Sequence, residues 1–239
     1  MKSSIRSMSI LSGALVALGA ASARADGPAD DASGGGIDHH VAAVSGALEI
    51  GLGGGYGQGT GDIGRNSARV QDLSGPGGTL ELKLGYRVIP NLAIGGYGTY
   101  SQFQANDAMP SGDVRSATAG VFADWHFRPD RSVDPWIGLA SGWRGMWLVP
   151  DAGPNTSIQG WEIARLQAGL DYRITPEVAI GPVIGASVNT FFTRDSGNGF
   201  QDIGDPQANF YFFGGLQARF DVLGDRHTHA GGQAEQAAR

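Results

Sequence analysis

The run Thr79-Leu80-Glu81-Leu82-Lys83-Leu84-Gly85-Tyr86-Arg87-Val88 alternates without a break. Leu80, Leu82, Leu84, Tyr86 and Val88 take the even positions. Thr79, Glu81, Lys83 and Arg87 take the odd ones. Period two places one set on each face of a β-strand. The chain continues Ile89-Pro90-Asn91-Leu92-Ala93-Ile94-Gly95. Proline fixes φ and needs no ladder donor, so Pro90-Asn91 reads as a tight turn. The passage Gly85–Gly95 returns almost unchanged as Asp171-Tyr172-Arg173-Ile174-Thr175-Pro176-Glu177-Val178-Ala179-Ile180-Gly181. Two such copies describe repeated hairpins.

Outward from these hairpins the alternation recurs. Candidate strands cover 48–56, 80–88, 91–104, 117–127, 135–147, 164–174, 178–192 and 208–222. In 91–104 the parity is mixed, since Leu92 and Ile94 share one phase and Tyr97 and Phe103 the other. The connections alternate between long and tight. The long ones, 58–77, 105–113, 149–159 and 193–207, are rich in Gly, Asn, Asp and Ser. Long loops at one end and short turns at the other describe an up-and-down barrel. The reading is all-β: an eight-stranded antiparallel up-and-down transmembrane β-barrel over 44–222. A loose arm at 26–43 precedes it and a tail at 223–239 follows.

Export and facing fit a membrane barrel or a soluble exported one, and the placement of the aromatics favours the membrane. Lys2 and Arg6, the apolar run Ile10–Ala21 and Ala23-Arg24-Ala25 form a signal-peptide pattern over 1–25. The chain is therefore expected to be exported through a cleaved leader. The second observation is facing. Glu49, Glu81, Lys83, Arg87, Asp124, Arg144, Arg165, Asp171, Arg173 and Arg219 all take the polar parity of their strands. Arg115 and Glu162 break it, beside long loops. Aromatics of the apolar parity gather at strand ends. Tyr86, Trp125, Tyr172 and Phe220 lie near the short turns, and Trp143 and Trp147 near the long loops. Two interfacial girdles are expected of a membrane barrel.

Composition excludes other classes. The 239 residues contain 40 glycines and no cysteine, so thiolate chemistry and disulfides are out. A net charge of −6 argues against nucleic-acid binding. Gly59-Thr60-Gly61-Asp62-Ile63-Gly64 matches a dinucleotide fingerprint but precedes no helical stretch.

The leader, the eight strands, the Tyr-Arg-x-x-Pro turns and Gly85-Tyr86-Arg87 resemble the small outer-membrane β-barrel family, to which the OmpA transmembrane domain belongs. The resemblance covers about residues 44–222. Gly215-Leu216-Gln217-Ala218-Arg219-Phe220 resembles the family's final-strand assembly signal, although further residues follow it. The resemblance implies the outer membrane of a Gram-negative cell, with its lipid and its assembly machinery as partners, and a monomer.

Inside such a barrel, Glu49, Glu81 and Lys83 from the first two strands would face Arg144 and Arg165 across the lumen. Buried charges must pair, so these five are candidates for a salt-bridged plug or a gate, which resembles the acidic–basic lumen cluster of the family. No catalytic residue and no cofactor are expected. His126 lies at the short-turn end, and Ser141 has no base nearby in sequence. The tails carry His39, His40, His227 and His229, weak candidates for a metal. The functional expectation is a structural, surface-facing envelope protein whose loops meet an unidentified extracellular ligand. A narrow porin-like channel and a soluble secreted ligand-binding barrel are the alternatives.

Overall fold

A computed structural model describes residues 41–44, 46–65, 68–106, 112–197 and 199–224. The predicted leader, most of both predicted tails and the four tail histidines lie outside the described residues.

The strands are β1 Leu48–Gly61, β2 Ser74–Ile89, β3 Leu92–Ala105, β4 Gly112–His126, β5 Val133–Pro150, β6 Thr156–Thr175, β7 Val178–Asp195, β8 Phe200–Asp202 and β9 Ala208–Val222. Consecutive long strands pair antiparallel, β9 follows β7, and β1 closes against β9 with Ile50 opposite Phe220. Closure removes both sheet edges, so every long strand has two neighbours. The short β8 folds back on the end of β7.

The strands run further towards the loops than the alternation indicates. β1 reaches Gly61 and β2 starts at Ser74, so much of the predicted 58–77 loop is strand or the helical turn α1, Val70–Leu73. Likewise β6 starts at Thr156, and β7 with β8 occupies part of 193–207. These extensions carry glycine and polar residues, which hide the period.

The mixed parity of 91–104 resolves simply. Even positions of β3 face outward, and Tyr97 and Phe103 are lumen aromatics. Where β1 meets β9, backbones crowd. A Cβ added at Gly55 would lie 2.2 Å from the Gly214 carbonyl oxygen, and one at Gly215 would lie 2.2 Å from that of Gly54. Glycine is required there by close approach.

Candidate functional site: the lumen

The walls set the facing. Leu52, Leu80, Leu82, Leu84, Val121, Leu139, Leu166, Ile184 and Leu216 lie on the outside, each at least 40% exposed. Glu49, Lys83, Arg87, Asp124, Arg165, Asp171, Arg173 and Arg219 lie inside, each at most 2% exposed. This inverts a water-soluble protein, and a chain with this surface must meet lipid. A soluble barrel would line its cavity with the apolar set, so that alternative is excluded. The chain is a small transmembrane β-barrel.

Of the aromatics expected to form girdles, Tyr86, Trp125, Trp143, Trp147 and Tyr172 are exposed on the outer face, and Phe220 is half-buried there. Trp143 stacks edge-on against Trp161 and Phe192, at centroid distances of 6.2 and 5.1 Å.

The interior is layered. At the short-turn end Val44 and Ala47 are buried, and the Ala43 N–H reaches the Pro129 carbonyl at 2.6 Å. Ala43, Val44, Gly46 and Ala47 thus belong to the floor of the barrel, the last two bonded to the Arg87 backbone.

Above the floor sits a first ionic layer. Arg87 meets Glu49 at 2.6 Å, and Arg219 meets Glu49, Asp171 and Asp124 at 2.8, 3.0 and 3.1 Å. Lys83 meets Asp124 at 2.8 Å and Arg173 meets Asp221 at 2.9 Å. Trp136 donates its indole N–H to Asp171 at 3.0 Å, and its ring lies under Arg219 and Lys83. His126 lies with Nδ1 2.7 Å from Asp134 and Nε2 3.1 Å from Arg219 Nη1. Both ring nitrogens are engaged inside this layer.

A second ionic layer lies nearer the loops. Arg165 meets Glu81 at 2.6 Å, and Gln167 also donates to Glu81 at 3.0 Å. Glu162 accepts from Arg144 at 3.2 Å and from the Tyr97 hydroxyl at 2.6 Å, with Arg165 at 3.8 Å. Arg144 and Arg165 lie over the faces of Tyr211 and Phe213 at 4.5 and 4.1 Å. A void of about 20 Å³, lined in part by Gly53, Gly55, Glu81 and Arg165, has room for about one water.

Next come hydroxyls, with Thr79 bonded to Ser101 and Tyr211 at 2.9 and 2.8 Å. Above them is an apolar roof. Phe103, Val114, Met146, Leu148, Ile158 and Phe191 come from the strands, and Ile63 and Val70 from the β1–β2 connection.

The five predicted lumen residues are therefore all inside but not in one cluster. Glu81, Arg144 and Arg165 share the second layer. Glu49 and Lys83 belong to the first, where their partners are Arg87, Arg219 and Asp124. Alternation gives the face of a residue, whereas strand tilt decides which inward residues share a depth.

Glu162 is the main correction. Its even number on β6 predicts the outer face, yet it is fully buried in the lumen. Register shifts between Glu162 and Ala164 on β6, and between Ala140 and Gly142 on β5, explain this. A bulge adds a residue and exchanges the faces beyond it. The signal was present: Trp161 and Ile163 carry the outward set on odd numbers, before Leu166, Ala168 and Leu170 carry it on even ones. Arg115 does face outward, at the loop end, and meets Asp113 at 2.9 Å.

Among the described residues no group of three or more His, Asp or Glu is arranged to hold a metal. Gly59–Gly61 of the fingerprint-like run ends β1, and Gly64 bridges Pro206.

No known protein family and no curated protein matches the sequence. Solved structures that the chain resembles include small outer-membrane barrels. Neisserial surface protein A has 16% identity and a TM-score of 0.47, over 72% of this chain and 96% of that one. OprG from Pseudomonas aeruginosa has 10% identity and a TM-score of 0.44, over 75% and 98%. AlkL, solved in DMPC lipid bilayers, has 15% identity and a TM-score of 0.46, over 83% and 96%.

Proposed function

We propose that this protein is a non-conducting, non-catalytic scaffold in the outer membrane of a Gram-negative cell, presenting its four loop connections to the exterior. The observation that carries the reading is the filled lumen. Two ionic layers lie between a floor at Val44 and Ala47 and an apolar roof. An eight-stranded barrel has an interior just wide enough for side chains to fill, and here pairs of charge fill it. Charged side chains held this way have lost their water and depend on their partners.

The apolar outer wall, and the outward Tyr86, Trp125, Tyr172 and Phe220 near the short-turn ends of their strands, support a lipid setting. Closure of β1 on β9 supports a monomer, since no long strand is left to pair with another chain. The engaged ring of His126, sealed at the short-turn end, supports a structural role for the one histidine among the strands. Outer-membrane lipid and the barrel-assembly machinery are the partners this reading requires.

Liposome swelling tests it. Vesicles carrying the refolded chain should swell in isotonic arabinose or glycine no faster than empty vesicles. Rapid swelling with a size cut-off would replace the scaffold by a porin-like channel.

A further inference from the structure

Above the roof, at the loop end, an apolar cavity of about 70 Å³ is lined by Ile63, Leu73, Leu148, Ile158 and Ile203, with Arg194 at its edge. The position of Arg194 needs explaining. On β7 the odd residues Ser187, Asn189 and Phe191 face the lumen, so an even-numbered Arg194 belongs on the outer wall. Its side chain is exposed, but at the edge of the cavity rather than on that wall. β6 and β7 shift register between Gln159 and Gly160, which leaves Phe192 unpaired, and Arg194 comes to sit opposite Ile158. Residues directly opposite in a ladder share a face, and Ile158 is buried in the roof. The bulge therefore brings Arg194 to the edge of an apolar cavity, as bulges elsewhere re-aim side chains.

Arg194 also differs from its neighbours in charge pairing. Arg65 meets Asp205 at 3.1 Å, Arg69 meets Asp62 at 3.2 Å and Arg115 meets Asp113 at 2.9 Å. Among the described residues Arg194 has no carboxylate partner. Its Nε donates to the Ser196 hydroxyl at 3.1 Å. The adjacent Asp195 carboxylate accepts instead from the Gly197 and Gly199 N–H groups, at 2.8 and 3.1 Å. An exposed cation with no carboxylate partner among the described residues, at the edge of an apolar cavity, matches an amphipathic anion. We infer that this cavity binds a short aliphatic carboxylate, with its chain among Ile63, Leu148 and Ile203 and its carboxylate on Arg194. The site lies outside the sealed layers, so it does not depend on whether the lumen conducts.

The test is a titration of the refolded full chain in phospholipid nanodiscs with hexanoate, followed through backbone amide shifts at Ile63, Leu148 and Ile203. Hexanol, of the same length and uncharged, is the comparison. Saturable shifts are expected, with hexanoate binding about tenfold tighter than hexanol, the scale of one charge-assisted hydrogen bond. Arg194→Gln should bring hexanoate down to hexanol, and Arg194→Lys should keep most of the preference. Ile203→Trp, which fills the cavity, should abolish saturation for both. The folded-band shift on unheated gels shows that each variant is assembled. Shifts that rise linearly with hexanoate, equal affinities for acid and alcohol, or an unchanged preference in Arg194→Gln would each overturn the inference.

Discussion

Replacing Glu162 by leucine separates a lumen carboxylate from a lipid-facing one by the sign of the effect. On the outer wall, leucine would remove a charge from lipid and stabilise the barrel. In the lumen it removes the acceptor shared by Arg144 and the Tyr97 hydroxyl. Arg165 keeps Glu81 at 2.6 Å. Among the described residues Arg144 keeps the Asn189 side chain at 3.3 Å and the face of Tyr211. Stranding one buried cation costs about 3–5 kcal/mol, and leaving the Tyr97 hydroxyl unmet adds about 1 kcal/mol. Urea unfolding of the chain in lipid vesicles, followed by tryptophan fluorescence, should therefore show a loss of about 4–6 kcal/mol. Adding Arg144→Met removes the stranded charge, so the double variant should regain more than half of that loss. A neutral or stabilising Glu162→Leu, or a double variant no better than the single one, would refute the lumen placement of Glu162.

Other perturbations address the walls and the loops. Leu82→Arg puts a charge on the lipid face at mid-strand, at a cost of about 2–4 kcal/mol; vesicle refolding yields should fall, whereas normal insertion would reverse the facing. Gly215→Val places a branched side chain against the Gly54 carbonyl in the β1–β9 seam. It should lower stability by about 1–3 kcal/mol or more in the same urea assay. Asp62→Asn breaks only the exposed pair with Arg69, so its effect should stay below about 1 kcal/mol and vanish in high salt. A large, salt-independent loss would show that this loop pair is shielded.

The barrel was legible because lipid outside and charge inside force a strict period of two, and Leu80–Val88 and Leu166–Ile174 carry it openly. The Pro90 and Pro176 turns fixed the hairpin phase. Legibility ended where the ladder is irregular. Parity misassigns Glu162, the 193–207 loop reading covers Arg194, and both lie just beyond register shifts on β6 and β7. A bulge leaves little trace in composition, only a change in the phase of the large apolar residues. β3 was ambiguous for another reason: Tyr97 and Phe103 are apolar residues used inside, as a hydrogen-bond donor and as part of the roof. The partners of Glu49 and Lys83 could not be read either, since they depend on relative strand depth around a tilted barrel. Arg219, which joins three carboxylates, stood out in sequence only as one more inward charge.

The sealed lumen is tested most directly by single-channel recording of the refolded chain in a planar bilayer, with insertion verified by protection from protease. The expected result is a silent membrane, and Arg144→Ala and Arg165→Ala should be the variants that begin to conduct. Discrete, steady conductance steps from the unaltered chain would contradict the closed interior and make the two ionic layers the walls of a pore.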